Sequence, residues 1–81
     1  MKFQVLFFST LRDIVGSGEL PMELQAGATV HDLLDELFTR WPKLTAWNTS
    51  LLIAVDQSYV KRDCALHEGA EVAIMPPVQG G

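Results

Sequence analysis

Between Thr29 and Pro42 the chain reads TVHDLLDELFTRWP, and its apolar residues Val30, Leu33, Leu34, Leu37, Phe38 and Trp41 fall at offsets 0, 3, 4, 7, 8 and 11. At about 3.6 residues per turn this spacing puts all six on one stripe, so the segment predicts an amphipathic helix. It is the clearest element in the chain, and its stripe must lie on a sheet. Thr29 is placed to cap the first turn, with Asp32 three residues later as a weaker form of the capping box, and Pro42 ends the helix. The other face carries Asp32, Asp35, Glu36 and Arg40 and reads as solvated.

The rest of the chain supplies strands. Lys2 to Phe8, KFQVLFF, puts Phe3, Val5 and Phe7 on one face and Gln4, Leu6 and Phe8 on the other. Both faces are apolar at its end, which predicts a central strand. STLRDIVGSGEL supplies a helical turn at most before the reversal marked by Gly16 and Gly18. Leu20 to Gln25, LPMELQ, alternates as a second strand, and Pro21 suits a sheet edge. Leu51 to Val55 is a continuous apolar run fit for a buried strand. A turn leads from it to a short strand at Ser58 to Val60, and a turn at Gly69 leads to a last strand from Glu71 to Met75.

The order strand, strand, helix, strand, short strand, strand favours an α+β domain with one helix across a mixed sheet, the first and last strands being neighbours in its middle. If the helix covers Phe3, Val5 and Phe7, then Leu6 and Phe8 face the bare side. The same parity sends Val72 and Ile74 inward, and Ala73 and Met75 outward.

Eighty-one residues make one domain, and a chain this short buries only about two-thirds of its unfolded surface, which leaves little room for an enclosed active site. Residues 1–75 read as the domain and residues 76–81 as an extended tail. Ten acidic against six basic residues give a formal charge of −4, opposite to the footprint of a nucleic-acid binder. Cys64 is the one cysteine, so no internal disulfide is expected and a reducing cytoplasm suits the chain. No stretch approaches the roughly 18 apolar residues of a membrane span. The opening MKFQVLFFSTLRD reaches Arg12 and Asp13 where a signal peptide would continue, so no targeting segment is expected.

A search for catalytic patterns finds no glycine-rich phosphate loop and no nucleophile elbow. His31, His67 and Cys64 lack the close pairing of zinc ligands, so no metal is expected. Cys64, with Lys61 and Arg62 nearby, reads as a small buried hydrophobe in preference to a reactive thiol. His31 and His67 read as surface or turn residues.

The tail is different. Pro76 and Pro77 cannot donate ladder hydrogen bonds, so they stop the last strand and stiffen its exit. Pro76, Pro77, Val78, Gln79, Gly80 and Gly81 together reach at most ~20 Å. Gly80 and Gly81 have no Cβ and suit a narrow channel in another protein, with the Gly81 carboxylate as the group delivered.

PPVQGG, VLFFSTLRD, LLIAVDQSYV and LHEGAEVAIMPPV together resemble the small, sulfur-carrying subunit of molybdopterin synthase, one of the ubiquitin-like β-grasp sulfur carriers. The similarity covers nearly the whole chain and is weakest across Ser17 to Thr49. The PP-V-x-GG ending favours this family over the related thiazole-forming carrier. The resemblance implies that the Gly81 carboxylate is adenylated by a ubiquitin-activating-type partner and converted to a thiocarboxylate. The loaded tail then enters the large synthase subunit and gives sulfur to the pterin precursor in molybdenum cofactor biosynthesis. It further implies ATP used by the activating partner, a sulfur donor protein, no intrinsic cofactor and no catalytic residue in the carrier. Phe8, Tyr59 and Met75 match family positions that form an apolar docking patch, and Arg12 matches one that pairs with an acidic partner residue. Met75, where the family often has an aromatic, and Tyr59, where an aliphatic is frequent, are departures. A carrier for thiamine or cysteine synthesis, a protein modifier, and a pure interaction domain are the competing readings.

Overall fold

Parallel pairing of the first and last strands organises the molecule. The computed structural model describes residues 1–77. Its elements are β1 (Lys2–Phe7), α1 (Thr10–Val15), β2 (Glu19–Glu23), α2 (Val30–Arg40), a 3₁₀ stretch (Pro42–Ser50), β3 (Leu52–Val55), β4 (Ser58–Tyr59) and β5 (Glu71–Met75). The sheet runs β2-β1-β5-β3-β4. Only the β1–β5 pair is parallel among the described residues, with Val5 beside Val72 and Phe7 beside Ile74. This is the ubiquitin-like β-grasp arrangement expected from the order of elements.

Alternation decides which face is covered. Phe3, Val5, Phe7, Ile53, Val55, Val72 and Ile74 are buried together with Val30, Leu33, Leu34 and Leu37 of α2 in one core. Burying such a side chain stabilises the fold by about 1.5–3 kcal/mol. Phe38 and Trp41 complete the stripe half-buried at its edge, and the Trp41 ring meets Phe7 edge-on with centroids 6.4 Å apart.

The start of α2 leaves none of its first amides unpaired. Thr29 Oγ1 accepts from the Asp32 amide at 3.4 Å, while Asp32 Oδ2 accepts from the Thr29 amide at 2.9 Å. The capping box is therefore complete, with aspartate in the place usually taken by glutamate. The Val30 and His31 amides donate to the carbonyls of Cys64 and Arg62, each at 2.9 Å. The Arg62 guanidinium in turn donates to the Asn48 side-chain oxygen and backbone carbonyl, which ties this loop to the 3₁₀ stretch.

Several boundaries differ from the sequence expectation. Thr10–Val15 is a six-residue helix rather than a single turn, because Leu11 is buried beneath it and Gly16, at φ 87°, caps it by donating to the Arg12 carbonyl at 2.8 Å. Strand β1 ends at Phe7, before α1 begins. Strand β2 occupies Glu19–Glu23 rather than 20–25, and as expected it is an edge strand containing Pro21. The 3₁₀ stretch has no counterpart in the sequence expectation: it is anchored by buried Leu44 with Trp47 half-buried against the core, two residues that set up no helical or strand period. Cys64 is half-buried, packed against the rim of the core instead of inside it.

Candidate functional site

The uncovered face of the sheet follows from the registers. Leu6 lies beside Ala73, Ala73 beside Ala54, and Ala54 beside Tyr59, so these four form one row across β1, β5, β3 and β4. In the next row Met75 lies opposite Leu52. Continuing the parallel register one step beyond Phe7 and Ile74 brings Phe8 to the level of Met75. Two alanines in the centre keep the floor low between larger side chains at its margins. Phe8 is 40% and Tyr59 72% exposed, the two large apolar residues that stand out most on the described surface.

The chain leaves the sheet at this same end. Pro76 and Pro77 follow Met75 directly and are half-buried. Val78, Gln79, Gly80 and Gly81, which the sequence singled out for the tail chemistry, lie outside the described residues.

Arg12 is on α1 at the end of the sheet from which the tail departs, but it does not join the row. Its side chain lies over Gly18, where a Cβ would come within 3.3 Å of Nε. The Phe7 amide donates to the Gly18 carbonyl at 3.0 Å. Arg12 thus packs against the segment that leads into β2.

A polar feature invisible in the sequence closes the opposite end of β5. Asp56 and Gln57, the two residues of the β3–β4 turn, have φ of 51° and 70°, the paired left-handed values of a type I′ hairpin. Asp56 Oδ1 accepts from the Glu71 amide at 3.0 Å, and Oδ2 lies 2.6 Å from His67 Nε2. The hydrogen bond from Glu71, then that from His67, holds the Asp56 carboxyl below its ordinary value of 3.8. The bond to Asp56, aided by the Glu68 carbonyl, holds the His67 imidazole above its ordinary 6.5. His67 thus has a defined partner where the sequence indicated only a turn residue. No local pattern links it to Asp56.

His31, Asp32 and Asp35 bring ligand-type atoms within 4.8 Å of one another on α2, a grouping the sequence search passed over. All three are exposed, Asp32 serves the Thr29 cap, and Asp35 pairs with His31 at 3.3 Å. A depression of about 590 Å³ opens between Lys2, Pro21, Glu23 and Arg40, on the β2 side and apart from Tyr59 and Met75. The described residues of the bare face hold no catalytic constellation.

The profile of the ThiS family matches residues 5–81. This chain belongs to the ThiS family. Among relatives of this ThiS-family chain, the molybdopterin synthase sulfur carrier subunit of Chlamydomonas reinhardtii is 37% identical, the match covering 100% of both chains. Among solved structures, a putative molybdopterin converting factor subunit 1 from Pyrococcus furiosus aligns with a TM-score of 0.88 at 32% identity, covering 96% of this chain and 99% of that one. The small archaeal modifier protein 1 of Methanosarcina acetivorans aligns at 0.84 with 26% identity, covering 99% and 96%. No helix among the described residues of this ThiS-family domain is long and apolar enough to cross a membrane.

Proposed function

We propose that this protein is the sulfur carrier subunit of a molybdopterin synthase. The observation that carries the reading is the parallel register of β1 and β5, which sets the chain exit at Pro76 beside Phe8 and Met75. A partner that grips the bare face then receives the tail in a defined direction.

A carboxylate is a poor electrophile, so the chemistry begins by giving it a leaving group. A Gly81 carboxylate oxygen attacks the α-phosphorus of ATP in an adenylating partner of the ubiquitin-activating type, forming an acyl-adenylate and releasing pyrophosphate. A hydrosulfide equivalent from a sulfur donor protein attacks the acyl carbon, AMP departs, and a thiocarboxylate remains. The loaded tail enters the large synthase subunit, where the thiocarboxylate sulfur bonds to the pterin precursor and water then cleaves the acyl–sulfur bond, restoring the Gly81 carboxylate; two loaded carriers supply the two sulfurs of one dithiolene. ATP and the catalytic side chains belong to the partners. The carrier contributes Phe8, Tyr59 and Met75 as the apolar contact, Arg12 as a cation for an acidic partner residue, and Pro76, Pro77, Val78, Gln79, Gly80 and Gly81 as the tail.

Incubation with the adenylating partner, ATP and a sulfur donor tests this reading. The intact mass is expected to rise by the exchange of one oxygen for sulfur at Gly81, and the loaded protein is expected to support dithiolene formation with the large subunit. An unchanged mass under conditions that load a relative would overturn it. The likeness to an archaeal modifier protein favours conjugation to other proteins as the second reading. Isopeptide-linked adducts formed without dithiolene product would support that alternative.

A further inference from the structure

The β3–β4 hairpin is closed by two residues in left-handed backbone, and neither is glycine. Aspartate visits that region with modest strain, whereas glutamine does so less readily, so the turn needs support from outside itself. Three contacts supply it, all through Asp56. Its amide donates to the Glu71 carbonyl at 2.9 Å, its Oδ1 accepts from the Glu71 amide at 3.0 Å, and its Oδ2 meets His67 Nε2 at 2.6 Å. The other ring nitrogen of His67, Nδ1, lies 2.9 Å from the Glu68 carbonyl oxygen. A carboxylate and a carbonyl both accept and neither donates. Both contacts are therefore hydrogen bonds at once only when each ring nitrogen carries a hydrogen, that is, in the imidazolium.

We propose that the imidazolium of His67 is a clasp that fastens the Asp56–Gln57 turn to the start of β5 and so positions Tyr59 on the docking face. The inference rests on the docking role of Tyr59 given above. Tyr59 lies two residues after Gln57 on the short strand that this turn launches, at the sheet edge, with β3 as its one strand neighbour. Loss of a proton leaves a lone pair of the ring facing an acceptor oxygen, and one of the two contacts opens. The charged groups around the ring are few. Asp56 faces it from the turn, the Glu68 carboxylate instead accepts from the Lys2 backbone amide at 2.9 Å, and Glu71 meets Asp56 through its backbone. The upward displacement of the His67 pKa agrees with this geometry.

The test uses the full chain. Ring-nitrogen NMR is expected to show His67 titrating above the ordinary histidine value, with the Glu71 and Val60 amide signals moving at the same midpoint. The protection factor of the Val60 amide, which donates to the Ile53 carbonyl at 3.0 Å, taken against the intrinsic exchange rate at each pH, is expected to fall about twofold to fivefold above that midpoint, the scale of an exposed ion pair. Affinity for the large subunit is expected to weaken by a similar factor over the same range. His67→Gln is expected to bind at the weaker level with that component of the pH dependence gone. Asp56→Asn is expected to keep the turn and return His67 toward ordinary titration. A His67 midpoint that Asp56→Asn leaves in place, or wild-type and His67→Gln chains with the same pH profile of affinity, would overturn the clasp. Failure of sulfur loading would sink the carrier reading while leaving the NMR result to judge the clasp. If Tyr59→Ala binds the large subunit as tightly as the wild type, the link between clasp and docking falls.

Discussion

Met75 stands opposite Leu52 across the antiparallel pair of β5 and β3, and it is the last residue of the sheet before Pro76 and Pro77. Its side chain is half-exposed on the bare face, outside the core. Met75→Asp is therefore expected to change stability by no more than about 0.5–1 kcal/mol. Affinity for the large subunit should fall tenfold or more, on the order of a hot-spot loss. Thermal melting and titration calorimetry on the same variant separate the two effects.

Gly81 has a role that no other residue can fill if its carboxyl is the group activated. Removing Gly80 and Gly81 is expected to leave the melting temperature unchanged and to abolish sulfur loading measured by intact mass. Gly80→Val keeps the carboxylate, and its loading rate is expected to fall on the order of 100-fold, since a misplacement of about 1 Å has that effect on reaction geometry.

Leu37 is fully buried in the stripe of α2. Leu37→Ala is expected to destabilise the domain by about 2–5 kcal/mol, a large share of the roughly 5–15 kcal/mol that holds a small domain folded. Urea denaturation monitored by tryptophan fluorescence gives the value.

Thr29 and Asp32 satisfy each other's amides at the start of α2. Thr29→Ala removes the cap and is expected to cost about 0.5–2 kcal/mol. The loss should appear as a lower denaturation midpoint with an unchanged slope.

Asp56 and His67 make stability depend on pH in two directions. Asp56 has its pKa lowered below 3.8 by folding, so its contribution is present above that value and is lost as pH falls through the folded pKa. His67 has its pKa raised above 6.5, so its contribution is complete below that value and is lost as pH rises through the folded pKa. The pair therefore supports the fold best between about pH 4 and 6.5, the interval bounded by the two ordinary values. Denaturation midpoints measured across pH are expected to show a shoulder there whose alkaline side His67→Gln removes, while its acid side, set first by the Glu71 hydrogen bond to Asp56, remains.

Much of this molecule could be read from local order along the chain. The spacing of Val30, Leu33, Leu34 and Leu37 identifies α2 and its buried side, and the alternation of Phe3, Val5 and Phe7 against Leu6 and Phe8 assigns the two faces of β1. Such readings succeed because helix and strand periods translate directly into faces. Thr10–Val15 and Pro42–Ser50 are not legible in the same way, because each has a single fully buried residue, Leu11 or Leu44, and the half-buried Ile14, Val15 and Trp47 beside them extend over too few turns to create a period.

Residue order by itself determined α2, the approximate positions of the strands and the apolar character of both β1 faces, since these depend on neighbours a few positions apart. Tertiary structure alone decided that Leu6, Ala73, Ala54 and Tyr59 form one row, that Arg12 lies over Gly18, and that Asp56 meets His67. Register and polar pairing join residues whose separation along the chain carries no period, so they take shape only when the core brings the strands together.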